Sequence, residues 1–281
     1  MKNYTLTQAH ISSFARSLKE EEKASATIEK YLRTLQELYA WLEGREVTKE
    51  IVAQWKAYLL EKGQAPATIN AKLSAVNSLF RFLGWNNRQV KFLKLQRRAF
   101  RDSSRELNRE EYSRLLKAAS GRKLEWLSLL METICATGIR VSEVKYITME
   151  AVILGRAEVN LKGKIRTILL PGKLCRKLKK FAKKKKIVLG EIFRSEDGEG
   201  ISRYQIWKAM KMLCKEADVE ASKVFPHNLR HLFAATFYKV TRDIVKLADV
   251  LGHSCVETTR IYLMTTDREH VQQLEQLGLV N

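Results

Sequence analysis

The chain has 281 residues, 45% of them apolar, and a formal net charge of +20 from 51 lysines and arginines against 31 acidic residues. This length exceeds one ordinary core and suits two domains; no segment approaches the roughly 18 unbroken apolar residues of a membrane span, and the opening MKNYTLTQAH lacks the apolar run of a secretory signal. So large a positive surplus asks for a polyanion, because neutralising phosphates releases their condensed counterions; with no basic amphipathic end and no lipidation motif, the expected partner is nucleic acid rather than a membrane surface, and the expected location is the cytoplasm.

Four helices are expected first. A short one covers TLTQAHISSFARSL. In SATIEKYLRTLQELYAWLEG, the residues Ile28, Tyr31, Leu32, Leu35, Leu38, Tyr39 and Leu42 recur at helical spacing, with a start at Ser25 or Thr27 and a stop at Gly44. A third helix runs from a Thr48 cap to Gly63 with Ile51, Trp55, Tyr58 and Leu59 on one face, and a fourth begins at PATIN with Ile69, Leu73, Val76, Phe80 and Leu83. Residues 1–90 therefore read as a helical bundle. Its exposed cations Lys30, Arg33, Lys56, Lys72 and Arg81 are candidate phosphate contacts, against the ordinary reading of a solvated helix face.

From 91 to 106 the chain is basic with no clean amphipathic period, as a connector would be. A second unit, 107–281, opens with a helix capped by Asn108, with Glu110 and Glu111 at its positive end. The apolar helix LEWLSLLMETICATG follows and runs into TGIRVSEV, where Gly138 permits a turn and Glu143 can orient Arg140. Three short runs of strand character, EAVILG, AEVNLK and IRTILLP, predict a small antiparallel meander with Gly163-Lys164 as its tight turn. KLCRKLKKFAKKKK then packs nine basic residues without an acid. A helix there, with Leu174, Leu178 and Phe181 inward, presents Lys173, Lys177 and Lys180 as further phosphate contacts. One more helix, SRYQIWKAMKMLCKEA, leads to PHNLRHLFAATFYKVTRDIVKLADVLGHSCVETTRIY. Pro226 suits a first helical turn. His227 and Arg230 share a face there, while His231 is expected to point elsewhere. His253 follows a Leu-Gly pair, and Tyr262 follows Thr258-Thr259-Arg260. The four cysteines, Cys135, Cys175, Cys214 and Cys255, are scattered without a CxxC pair. They are expected to be reduced and mostly buried, with neither zinc nor a disulfide framework.

HxxR, LGH and a tyrosine nine residues later, together with Thr137, Gly138, Arg140, Ser142 and Glu143 as TGxRxSE, resemble the signature of the tyrosine recombinases, the phage-integrase and Xer-like family. Singly, each of these residues reads as packing or as a surface charge. Linked and in order, they do not. The helical first unit is similar to the family's core-binding domain. The resemblance implies an α+β fold, mainly helical with a small antiparallel sheet: a core-binding, SAM-like domain, then a catalytic domain, joined by a linker that lets the two close on duplex DNA. It further implies that Arg140, Arg230, His227, His253 and Tyr262 form the site, with a lysine on the hairpin. Lys162 matches best in KGKIRTILLP, and Lys164 stays open because this hairpin is one residue shorter than the usual form. The tail TTDREHVQQLEQLGLVN is expected to dock on a neighbouring protomer of a tetramer, and an accessory DNA-bending or directionality factor belongs to the same expectation.

The chemistry fits those residue types. Displacement at a phosphodiester needs a nucleophile, donors to the non-bridging oxygens and an acid for the departing oxygen. Tyr262 is the nucleophile, and Arg140 and Arg230 are planar clamps. His253 is a donor, His227 orients the site or accepts the tyrosine proton, and the hairpin lysine is the acid. No cofactor is expected, since the sequence has neither an acidic cluster for a Mg²⁺ pair nor a GxxxxGK[ST] loop. Three rival readings remain: a type IB topoisomerase with the same chemistry, a catalytically silent DNA-binding relative, and a helical adaptor whose basic charge is incidental.

Overall fold

The computed structural model describes residues 4–95, 105–161, 164–195, 197–260, 262 and 275–277, with only the backbone at 161 and 164. The chain divides into two compact units, Met1–Arg97 and Arg98–Asn281.

The first unit is built from α1 (Gln8–Glu20), α2 (Ser25–Leu42), α3 (Lys49–Glu61) and α4 (Pro66–Phe82). Thr7 and Thr48 cap α1 and α3 through their side chains, each satisfying a backbone N–H that the first helical turn leaves without a partner. Leu35, Leu38, Trp55, Leu59, Leu73 and Phe80 meet in one apolar core. In α3 the buried face is Val52, Trp55 and Leu59, while Tyr58 turns outward. Two asparagines on α4 hold the chain that follows it. Asn77 exchanges hydrogen bonds with the backbone of Val90 and Asn70 with that of Leu93, at 2.8–3.2 Å. The segment expected to begin a connector at 91 is thus still docked on the helices at Leu93. At Val90 and Leu93 the backbone groups are taken up by side-chain amides of α4 and not by a helix of their own.

The second unit begins with α5 (Arg109–Gly121), where Asn108 and Glu111 form a reciprocal capping box. Next come α6 (Glu125–Thr137), a 3-10 segment at Val141–Tyr146, α7 (Met149–Leu154), strands β1 (Arg156–Leu161) and β2 (Lys164–Leu169), α8 (Gly172–Lys184), α9 (Arg203–Met212), α10 (Pro226–Thr241), α11 (Ile244–Leu251) and α12 (Glu257–Arg260). The expected meander is one strand short, because EAVIL is helical. The Thr148 side chain caps it at Ala151, and Gly155 closes it at φ +70°, so local capping overrides the β-branched residues. β1 and β2 pair antiparallel from Arg156↔Leu169 to Leu161↔Lys164. Lys164 therefore belongs to β2 and not to the turn, whereas Lys162 lies outside the described residues. The tail helix expected after Tyr262 also lies outside them, apart from Glu275–Leu277. Leu174, Leu178 and Phe181 bury the inner face of α8 as its period predicts. Of the cysteines, only Cys175 is fully buried and Cys255 is exposed. No helix among the described residues is long and apolar enough to cross a membrane.

Candidate active site

α6, apolar on nearly every face, is the central helix of this unit, and α10 packs along it. α6 ends at Gly138, whose φ of +65° turns the chain. A Cβ there would stand 2.4 Å from the Phe233 ring of α10, so only glycine lets the α6–α10 contact and the turn coexist. The turn delivers Arg140. Its backbone N–H and its Nη1 both donate to Glu143, at 2.8 and 3.0 Å. Glu143 is 1% exposed, while the Arg140 side chain remains 39% exposed, anchored at one edge and open at the other.

Arg230, on α10, is 1% exposed. It donates to the carbonyls of Gly138 and Leu251 and, over 3.0 Å, to Nε2 of His253. Burial first, then Arg140, lowers its pKa to about 10, and a hydrogen bond with Tyr262 partly offsets this; the guanidinium stays charged at neutral pH. α11 ends at Gly252 (φ +64°), which releases the chain to place His253. Burial, then Arg230, Arg140, Arg166 and His227, push His253 down to about 4. His227, in the first turn of α10, is lowered by burial and then by Arg230 and Arg140.

Tyr262 is 3% exposed. Its ring stacks on His253 at 5.9 Å and 14° and lies 6.4 Å from the His227 ring. It also lies 4.4 Å from the ring of His231, which stands 4.7 Å from His227. His231, expected to point elsewhere than His227 and Arg230, is not among the residues lining the pocket, yet one turn on from His227 its ring packs edge-on against both His227 and Tyr262. Arg140, His227, Arg230, His253 and Tyr262 all line one pocket of about 830 Å³. Of the six principal candidates, five come together, and Lys162 is outside the described residues.

Two contributors went unread in the sequence. Arg166 sits on β2 at an inward-facing position with Ile168 and Leu170. Its Nη1 lies 3.4 Å from Glu143 and donates to the Leu251 carbonyl at 2.6 Å. A Cβ on Gly252 would stand 2.3 Å from its Cδ, so the glycine of LGH also makes room for this arginine. The readable signal was a cation on the apolar side of a strand's alternation. The second is Thr259, buried at 0%, whose Oγ1 lies 2.8 Å from Nδ1 of His253. Only its place in the TT pair drew attention, not its side chain.

Among the phosphate-contact candidates, Lys30, Arg33, Arg81, Lys173 and Lys180 are exposed. Lys72 instead grips Glu37 at 2.5 Å and Lys177 grips Glu132 at 2.6 Å.

A small helical domain, followed by a mainly helical domain with one hairpin and a pocket of guanidinium groups, imidazoles and a phenol, has a recognised counterpart. Residues 105–269 match the Phage integrase family and residues 11–87 match the phage integrase N-terminal SAM-like domain. The chain belongs to the phage integrase family, the tyrosine recombinases. It is similar to tyrosine recombinase XerA of Pyrococcus furiosus, at 26% identity over 287 residues covering 100% of this chain and 98% of that one. It is also similar to tyrosine recombinase XerC of Roseiflexus castenholzii, at 27% identity over 90% of this chain and 87% of the relative. A lambda integrase tetramer solved on a Holliday junction shares the fold, with a TM-score of 0.76 and 19% identity over 95% of this chain and 79% of that one.

Proposed function

We propose that this chain is a site-specific recombinase that cuts and rejoins duplex DNA through a 3′-phosphotyrosyl intermediate and a Holliday junction, as a tetramer. The observation that carries the reading is the position of Tyr262, stacked on His253 in the pocket that Arg140, His227 and Arg230 also line. Arg140 and Arg166 share the carboxylate of Glu143, while Arg230, a third guanidinium on which both of them bear, is bonded to backbone carbonyls and His253. An anionic phosphodiester completes that balance. The Tyr262 oxygen attacks phosphorus, its proton passes to His227 or solvent, and the 5′ oxygen departs with a proton from Lys162, Lys164 being the alternative. Arg140, held by Glu143 yet open to solvent, and Arg230 oppose the growing charge on the non-bridging oxygens. In this reading guanidinium groups take the role a metal ion has elsewhere, and the phosphotyrosyl ester keeps the bond energy so that religation needs no ATP.

The Xer relatives and the lambda integrase solved on a Holliday junction support strand exchange. The residues after Tyr262 would then link protomers, and the helical unit, with Lys30, Arg33 and Arg81, would track the backbone of the site. Incubation with a nicked suicide duplex should leave a covalent protein–DNA adduct. Tyr262→Phe should abolish the adduct while DNA binding persists; an adduct surviving in that variant overturns the assignment.

A further inference from the structure

His253 is held at both ring nitrogens, by Arg230 Nη2 at 3.0 Å from Nε2 and by Thr259 Oγ1 at 2.8 Å from Nδ1. A guanidinium only donates, so Nε2 must offer its lone pair. The neutral ring then carries its proton on Nδ1 and donates it to Thr259. Burial and the cationic groups around the ring oppose a second proton. Arg230 and His227 face it from α10, Arg140 from the turn after α6 and Arg166 from β2. Tyr262 stacks on it, and Glu143 is already engaged by Arg140 and Arg166. With a pKa of about 4, only about one ring in a thousand is an imidazolium at pH 7. In this state Nε2 has no hydrogen to give to a phosphoryl oxygen.

A hydroxyl both donates and accepts, which an amide or a carboxylate oxygen at the same place does not do with one atom. We propose that Thr259 is a positioning residue that lets His253 exchange tautomers. Its hydroxyl accepts from Nδ1–H while Arg230 occupies Nε2, and donates to Nδ1 once a phosphoryl oxygen takes the place of that contact and Nε2 bears the proton. One proton leaves Nδ1 and one arrives at Nε2, both by exchange with pocket water, so no net proton is taken up. The same residue sets the height of the nucleophile, since its carbonyl accepts from the Tyr262 N–H at 3.0 Å. This role rests on the phosphotyrosyl reading, because it concerns the donor that reading assigns to His253.

Thr259→Val keeps the buried volume and removes the hydroxyl, and Thr259→Ser restores it. With the suicide duplex, the Val variant should cleave at least about tenfold more slowly with binding retained, because one bidirectional hydrogen bond is lost. Its rate should rise as pH falls towards 5, where an imidazolium begins to supply the missing Nε2 hydrogen. The Ser variant should recover most of the rate and the flatter pH profile. Ring ¹⁵N signals of His253 in the free full-length protein should report the Nδ1–H tautomer, moving towards Nε2–H when inorganic phosphate is added to the Tyr262→Phe protein. A Val variant with the parental rate and pH profile overturns the proposal, as does a free protein whose His253 carries its proton on Nε2. A Val variant that has lost its thermal transition leaves the ring signals of the Ser variant and the parent to decide. Since those signals are read without cleavage, they judge Thr259 whether or not Tyr262 proves to be the nucleophile.

Discussion

Arg230 shows how a buried cation is tolerated in this protein. At 1% exposure it would be costly unpaired, and two backbone carbonyls plus an imidazole lone pair provide its partners. The cost passes to the histidines. Both His227 and His253 are held below their ordinary value of 6.5, so the unfolded chain takes up protons that the folded chain refuses. Their contribution to stability is complete above about pH 6.5 and is lost as pH falls towards about 4, the His253 value. Thermal midpoints measured from pH 7.5 down to 5 should therefore decline, and His253→Asn should flatten the decline. Gly252→Ala tests the crowding around Arg166. A side chain at φ +64° is strained, and its Cβ would displace the arginine from Glu143, so a loss of about 1–3 kcal/mol is expected from urea unfolding.

At the scale of elements, capping decides what hydrophobic pattern leaves open. EAVIL carries enough β-branched character to read as a strand, yet Thr148 at one end and Gly155 at the other make it α7. Thr148→Ala should cost about 1 kcal/mol in chemical denaturation and leave the β1–β2 pairing intact by circular dichroism. The hairpin bears on one of the two lysine candidates, since Lys164 pairs with Leu161 within the sheet, while Lys162 lies outside the described residues. Lys162→Ala should slow cleavage of a normal 5′ oxygen and be rescued by a 5′-bridging thiolate, a leaving group that needs no acid; Lys164→Ala should cleave normally. Equal behaviour of the two variants would reject Lys162 as the acid.

At the scale of the whole molecule, a surplus of +20 makes DNA affinity a function of salt. Each phosphate contact contributes a slope of about −0.9 in log K against log salt. Lys173 and Lys180 are exposed on α8, whereas Lys177 is engaged by Glu132 and Lys72 by Glu37. Replacing Lys173 and Lys180 by alanine should therefore shallow the slope by up to about two units. Replacing Lys72 and Lys177 should change it less, because their charge is already compensated within the protein. Filter-binding titrations across salt concentrations separate the two pairs.

Helical period, the caps at Thr48 and Asn108, and the linked boxes around Arg140, His227, Arg230, His253 and Tyr262 were all present in the one-dimensional chain, because each is a relation among residues a few positions apart. The docking of Val90 and Leu93 on α4, the ring of His231 against Tyr262, the wedge of Arg166 over Gly252 and the hold of Thr259 on His253 belong to a different kind of relation. They join residues that meet only after packing, of α4 with the chain that follows it in the first unit and of α6, α10, α11 and the hairpin in the second, and a lone arginine in a strand or a threonine in a pair carries no local mark of the partner it will find. Local sequence determined which elements form and which reactive groups are available. Tertiary packing decided which ring nitrogen of His253 holds its hydrogen and how reluctantly His227 and His253 take a second, since burial and neighbouring charge shift the protonation of a side chain away from what its residue type alone would give.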